Sequence, residues 1–142
     1  MAQRVTAGRV TIVVGNLLYS VGAFAADFNE THVLNPRWPP HAKFHNGQTM
    51  SLAVLLASAS LYYLFRPAET EQQRRDNVFT SALMGSLYCF AGMCAILYPE
   101  TAWQDPEFDQ GGEQRYLFSG ICVAMAIGYL LESSRLTKTK NV

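Results

Sequence analysis

Charge is scarce in this chain: only 15% of its 142 residues are Asp, Glu, Lys or Arg, against about 25% in an ordinary soluble domain. The 11 basic and 11 acidic residues cancel, which argues against a basic nucleic-acid-binding protein and against an acidic disordered chain. Three cysteines, an odd number, rule out a simple disulfide scaffold. The length allows one domain.

Several motifs that would identify a function are also missing. The sequence contains no C-x-x-C for redox work, no G-x-G-x-x-G or P-loop for nucleotide phosphates, and no G-x-S-x-G nucleophile elbow. It shows no internal repeat, which argues against a transporter. No cofactor and no nucleic-acid partner are therefore expected.

The apolar residues are concentrated in four uncharged runs. These runs span residues 10–26, 46–65, 77–99 and 116–131. A helix needs about 17–25 apolar residues to cross a membrane, and none of the runs has the charged face of a soluble amphipathic helix. The pattern predicts an all-α, up-down-up-down bundle of four transmembrane helices forming one domain (1–142), with spans at about 10–27, 46–65, 77–99 and 116–132.

Two alternatives accompany this prediction. A soluble four-helix bundle with unusually apolar helices would give a similar pattern. The first run, with Arg4 and Arg9 before it and Ala-Phe-Ala at 23–25, also resembles a cleavable signal peptide, although Gly15 and Asn16 interrupt its apolar centre. Within the bundle, Ser81-x-x-x-Gly85 and Gly22-x-x-x-Ala26 predict close helix packing.

Basic residues predict the orientation, because Lys and Arg accumulate on the cytoplasmic side of short-looped membrane proteins. With four spans, both termini and the second loop share one side, which holds eight of the eleven basic residues: Arg4, Arg9, Arg66, Arg74, Arg75, Arg135, Lys138 and Lys140. Both termini are therefore predicted to be cytosolic. Lys138-Thr-Lys140-Asn-Val142 resembles the dilysine signal of endoplasmic-reticulum membrane proteins, although a merely basic tail would look the same.

The opposite end of the predicted bundle contains polar residues of types that can take part in catalysis. The segment 27–49 contains all three histidines, His32, His41 and His45. Pro40 suits the first turn of a helix, so the second helix is predicted to begin there. His41, His45 and Gln48 would then share one helix face, which we expect to turn inward, as polar groups in membranes normally do.

The third loop adds carboxylates and a tryptophan on the same side, and its acids oppose Arg37 and Lys43 of the first loop. We expect the two loops to meet and at least one histidine to lie within hydrogen-bond reach of an interior carboxylate or Asn. The candidate catalytic residues are Asp27, His32, His41, His45, Glu100, Asp105 and Glu107. The candidate substrate-binding residues are Asn16, Asn29, Asn35, Trp38, Asn46, Tyr88 and Trp103.

Histidine paired with a carboxylate in a dry pocket can transfer protons. The same residues could instead cap helix ends and anchor the interface. His41 and His45 could also chelate a metal together with His32 or Asp27, but three histidines are few for a membrane oxygenase, and no metal is predicted.

Residues 26–49, with their W-P-P-H-A-x-x-H-N segment, and residues 98–108 resemble a family of small four-span membrane proteins common in fungi and some bacteria. That resemblance covers nearly the whole chain and implies topology more than activity. In layout the chain is also similar to emopamil-binding sterol isomerases and to fungal membrane-bound terpene cyclases, which place acids and His or Asn inside a helical bundle and protonate an alkene or epoxide.

The leading hypothesis is an endoplasmic-reticulum enzyme of secondary metabolism that isomerises, cyclises or hydrates a lipophilic terpenoid, sterol or polyketide-like substrate. The reaction would use general acid–base catalysis, and a hydrolase that opens epoxides falls in the same class. The expected partners are this small molecule and membrane lipid, with an oligomer left open. The alternative is a non-catalytic membrane subunit or scaffold whose lumenal loops bind a partner.

Overall fold

The computed structural model describes residues 5–108 and 112–140, and within them it contains four long α-helices and no strand. The helices are α1 (Ala7–Asp27), α2 (Pro40–Phe65), α3 (Glu71–Ala95) and α4 (Gln114–Lys140), with a short 3-10 helix at Pro106–Phe108. Each helix of the ring packs against both neighbours, α1 against α2 and α4, and α3 against α2 and α4. The predicted all-α four-helix bundle is confirmed.

All four helices are long and apolar enough to cross a membrane, with mean hydropathy between 1.3 and 1.5 over their most apolar windows. Their outward surfaces are apolar too: Leu55, Val21 and Leu130 are each more than half exposed. Exposed apolar side chains on every helix suit contact with lipid and would be costly in water. The chain is therefore an integral membrane protein.

Local signals place the helix starts. The Thr6 hydroxyl accepts a hydrogen bond from the Arg9 backbone N–H at the start of α1, and Thr70 caps α3 through the Gln73 N–H, as N-cap residues do. Helix α2 begins at Pro40, as predicted, because proline lacks the N–H that a first turn leaves unpaired. The first loop is thereby shortened to residues 28–39.

The third helix differs from its predicted span in both directions. It begins at Glu71, before the start of the uncharged run, because Thr70 caps the helix there. It ends at Ala95, and residues 96–99 form turns although they are uncharged. The Thr101 hydroxyl shares its one hydrogen between the carbonyls of Ala95 and Tyr98, which are backbone acceptors at this helix end. The third loop therefore comprises residues 96–113.

Small residues pack the helices closely, but not at both predicted positions. Ser81 and Gly85 are buried between α3 and its neighbours, as predicted. Gly22 is not a packing glycine: a Cβ there would meet nothing within 4 Å, because this face of α1 borders a cavity. The close approach lies between α1 and α4, where a Cβ on Gly8 would come within 2.6 Å of the Gly128 carbonyl oxygen.

Candidate functional site

A cavity of about 820 Å³ lies at the end of the bundle that carries the first and third loops. Its walls come from the last turns of α1, the two loops, the last turns of α3 and the first turns of α4. The described residues that line it include no residue of α2. A cavity of this size at the meeting point of several elements is the usual setting for a small-molecule site.

The centre of the polar wall is Asp27, the last residue of α1. Its side chain is largely buried, and the Oδ1 atom lies 3.9 Å from His32 Nε2. Its other oxygen, Oδ2, accepts a hydrogen bond of 3.1 Å from Asn46 Nδ2 on α2. Both Asp27 and His32 line the cavity. The carboxylate is thus held in place on one side and faces an imidazole on the other.

The hydrogen bonds around His32 fix which ring nitrogen carries the proton. Asn29 Nδ2 donates to the carbonyls of Ala25 and Ala26, so its Oδ1 must face Thr31. The Thr31 hydroxyl has one hydrogen and donates it to Asn29 Oδ1. At 2.6 Å, His32 Nδ1 must therefore donate to the Thr31 oxygen.

In the neutral ring, a proton on Nδ1 leaves the Nε2 lone pair directed at Asp27. A lone pair facing a carboxylate oxygen is repulsive unless a proton lies between them. The Nε2 edge of the His32 ring therefore faces the Asp27 carboxylate at the cavity wall. The prediction that a histidine bonds an interior carboxylate or Asn is wrong: the side-chain hydrogen bonds of the histidines go to Thr31, to Gln48 and between His41 and His45. His32 and Asp27 lie at ion-pair distance instead.

Six aromatic residues form a further part of the wall, beside six other polar or acidic ones. The Tyr19 and Tyr88 rings stack with their centroids 5.4 Å apart, and Phe118 packs edge-on against Tyr88 at 6.0 Å. Trp38 meets the edge of the His32 ring at 5.0 Å. Trp103 forms part of the wall from the third loop. The aromatic part of the lining suits the apolar portion of a ligand.

The first and third loops do meet, as their opposite charges predict. Arg37 of the first loop forms an ion pair with Glu107 of the third. Asp105 lines the cavity from the same segment. Glu100 does not line it: the residue is exposed and adopts a left-handed turn conformation with φ of 60°. Glu107 bridges the loops and is likewise not one of the lining residues.

His41 and His45 point away from the bundle, so the predicted inward orientation of this face is wrong. Both rings and Gln48 are exposed. The buried stripe of α2 runs through Met50, Ala53, Ala57, Ser60 and Leu64. At 100° per residue, the two histidines lie about 140–180° round the helix from Met50. Apolar contacts with α1 and α3 fix this rotation and turn the polar face outward.

The predicted substrate-binding residues divide into two groups. Those that line the cavity are Asn29, Trp38, Tyr88 and Trp103. The others are structural in position: Asn16 is fully buried in the bundle centre, where Nδ2 donates to Ser60 Oγ at 2.9 Å. Asn35 is buried in the first loop and accepts from the Arg37 N–H. Asn46 reaches the site only through Asp27.

Sequence reasoning missed Tyr19 and Glu113, which also line the cavity. It also missed a buried ion-pair cluster at the opposite end of the bundle. Glu132 is 1% exposed and bonds Arg9, Arg135 and the Thr6 hydroxyl. Its i, i+3 spacing to Arg135 was the available signal. Within the described residues, no group of three His, Cys, Asp or Glu side chains could hold a metal ion.

Comparison with known proteins identifies a family rather than an activity. No curated protein and no solved structure matches the chain. A family model described as a family of unknown function, DUF6640, matches residues 11–141. The match includes all four helices apart from the first turn of α1, together with both loops that border the cavity. The chain belongs to the DUF6640 family of unknown function.

Proposed function

We propose that this protein is a membrane enzyme that isomerises, cyclises or hydrates a lipophilic small molecule by moving a proton within the cavity. The observation that carries the proposal is the geometry of Asp27 and His32. The His32 Nε2 and Asp27 Oδ1 atoms face each other 3.9 Å apart at the cavity wall. Acid–base pairs of this kind serve proton transfer to and from carbon or oxygen.

One group of the pair donates a proton to the substrate and the other accepts a proton, so the pair as a whole gains and loses none in a turnover. In an isomerisation or cyclisation, one group protonates an alkene carbon and the other removes a proton from a neighbouring carbon. In a hydration or epoxide opening, the acid protonates the substrate and the base takes a proton from attacking water. Asn46 acts as a positioning residue, since its hydrogen bond orients Asp27 from outside the cavity.

The aromatic wall supplies the other requirement of such chemistry, a site from which water is displaced when substrate binds. Tyr19, Tyr88 and Phe118 are among the lining residues, and aromatic π-electrons can stabilise a developing carbocation. Terpenoid, sterol and polyketide-like molecules fit this lining. The resemblance in layout to sterol isomerases and membrane-bound terpene cyclases, suggested by the sequence, favours the same class of substrate.

Replacing Asp27 by Asn should abolish turnover and His32→Gln should lower it by about 10²–10⁴-fold, because general acid–base groups contribute that much. The measurement is comparative mass spectrometry of lipid extracts from membranes that contain the wild-type or variant protein. A product isomeric with its precursor, or heavier by one water molecule, should accumulate only with the wild type. Glu100→Gln is the control, since Glu100 is exposed and outside the cavity.

The result also separates the enzyme from a subunit. Loss of product at normal protein abundance supports catalysis. Unchanged lipid profiles in all variants, or lost abundance of a complex without any chemical change, would contradict the enzyme and favour a non-catalytic subunit.

Asn46→Leu should lower kcat more than it changes KM, because Asn46 acts through Asp27 rather than on substrate.

We also propose an endoplasmic-reticulum location with both termini in the cytosol. Support comes from the excess of basic residues on the side of the termini and second loop. The Lys138-x-Lys140 spacing has the form of a dilysine signal, which favours this compartment where it lies at the end of a chain. The cavity and its two loops would then face the lumen.

Single cysteines at Gln72 and Glu30 test this orientation, because both residues are exposed and lie at opposite ends of the bundle. The variants are made in a background without Cys89, Cys94 and Cys122. In intact right-side-out microsomes, Gln72→Cys should react with an impermeant maleimide and Glu30→Cys should react only after detergent is added. Equal labelling of both before detergent, or the reverse pattern, would refute the proposed orientation.

A further inference from the structure

His41 and His45 form a close pair on the outer face of α2, outside the cavity. Their Nε2 atoms lie 3.0 Å apart, and the ring centroids are separated by 4.4 Å. Spacing of i and i+4 places both rings on one face, one helical turn apart. Both are exposed, and they stand in the first two turns of α2, next to the loops. Metal ions in the aqueous phase can reach them there.

The separation of the two nitrogens suits chelation. Two imidazole nitrogens at about 2.0–2.1 Å from a tetrahedral Zn²⁺ ion stand about 3.3 Å apart, so an ion requires only a small outward shift of the rings. The sequence H-A-K-F-H has the spacing of the two histidines in H-E-x-x-H zinc sites. Ala42 stands where those sites carry their catalytic Glu, which points to metal binding without that hydrolytic chemistry.

A third residue, Gln48, orients the His45 ring for metal binding. Gln48 Oε1 lies 3.2 Å from His45 Nδ1 and accepts its hydrogen, so in the neutral ring the lone pair lies on Nε2. Metal-binding histidines are commonly fixed in this way through the second ring nitrogen. The His41 ring lies parallel to Phe44 with centroids 6.0 Å apart, which limits its rotation. In the absence of metal, His41 Nε2–H can donate to His45 Nε2.

We propose that His41 and His45 bind a divalent borderline metal ion, Zn²⁺ in the first instance, with water or a lipid phosphate completing its coordination. Imidazole suits Zn²⁺, Cu²⁺ and Ni²⁺ and not Mg²⁺ or Ca²⁺. Binding replaces the hydrogen bond between the rings: the proton leaves His41 Nε2 and the ring takes the form protonated at Nδ1. The site is separate from the Asp27 and His32 pair and does not depend on the proposed activity.

Isothermal titration of the untagged full-length chain with Zn²⁺ in detergent micelles should show one saturable site per chain. His41→Gln and His45→Gln should each weaken binding by at least about tenfold, and Gln48→Leu by about tenfold through the lost support of His45. With Cu²⁺ as a second probe, the electron paramagnetic resonance spectrum should show coupling to two nitrogens. That coupling should fall to one nitrogen in either histidine variant.

Two controls test the geometry rather than the histidine content. The double variant Lys43→His/His45→Ala keeps three histidines but places two of them at i and i+2, about 200° apart round the helix, and should not bind. His32→Gln removes the cavity histidine and should leave Zn²⁺ affinity unchanged. Absence of a saturable site in the wild type, or affinity unchanged by His41→Gln or retained by the double variant, would overturn the proposal. Because the His41 and His45 rings are exposed, the variants at positions 41 and 45 should keep the wild-type unfolding temperature.

Discussion

Replacing Glu132 by leucine is expected to lower the free energy of unfolding by about 3–5 kcal/mol, the usual cost of removing one partner from a buried ion pair. Glu132 is 1% exposed, and both carboxylate oxygens are occupied: Oε1 accepts from Arg9 and Arg135, and Oε2 from Thr6. The Arg9 side chain is only 11% exposed, so its guanidinium cannot readily regain full hydration when the acid is lost. Arg135, at 42% exposed, can turn to water and adds less.

The measurement is reversible unfolding in mixed micelles, followed by loss of helical circular dichroism. Glu71→Leu is the matched control, because Glu71 also pairs with an arginine at i+3 but both side chains are more than two-fifths exposed. It should cost about 1 kcal/mol or less. The double variant Glu132→Leu/Arg9→Leu should recover part of the loss, with a coupling of about 0.5–3 kcal/mol. A Glu132 effect equal to that of Glu71 would contradict the buried cluster.

The second large effect is expected where α1 crosses α4. Gly8→Ala should lower the free energy of unfolding by about 1–3 kcal/mol, in the range of overpacking. A Cβ at this position would lie 2.6 Å from the Gly128 carbonyl oxygen and 2.9 Å from the Glu132 nitrogen. Both of these are backbone atoms, so no side-chain rotation can relieve the contact and the helices must separate.

Gly120→Ala is the control, because a Cβ on this helical glycine meets nothing within 4 Å. That variant should be neutral or stabilised by up to about 1 kcal/mol, since alanine favours the helix. The same unfolding assay compares the two. Equal stability changes in both variants would show that α1 and α4 do not approach each other as closely as the structure places them.

The sequence was a good guide to the helices and a partial one to the site. Uncharged runs predicted four helices because the bilayer penalises charge wherever a helix crosses it, and Pro40 marked the start of α2. The contact of the two loops followed from their opposite charges, as the ion pair of Arg37 and Glu107 confirms. Local chemistry of this kind can be predicted without knowledge of the packing.

The rotation of each helix could not be predicted so simply. His41 and His45 were assigned to the interior by the rule that polar groups in membranes turn inward, but the small and apolar stripe from Met50 to Leu64 decides which side of α2 is buried. Glu132 directly follows the last uncharged run, and that position alone does not predict burial. Only the packing of Arg9 and Thr6 against it makes this residue interior.

The chain of hydrogen bonds through Asn16 has a consequence for how the helices can slide past one another. Tyr19 donates to Asn16, Asn16 donates to Ser60, and Ser60 donates to the Ser81 carbonyl, which links α1, α2 and α3 at mid-depth. A shift of α2 by one turn, about 5.4 Å, would separate Ser60 from both partners. Hydrocarbon offers no water to replace them, so this chain sets the vertical register of three helices and, with it, the height at which Asn46 meets Asp27.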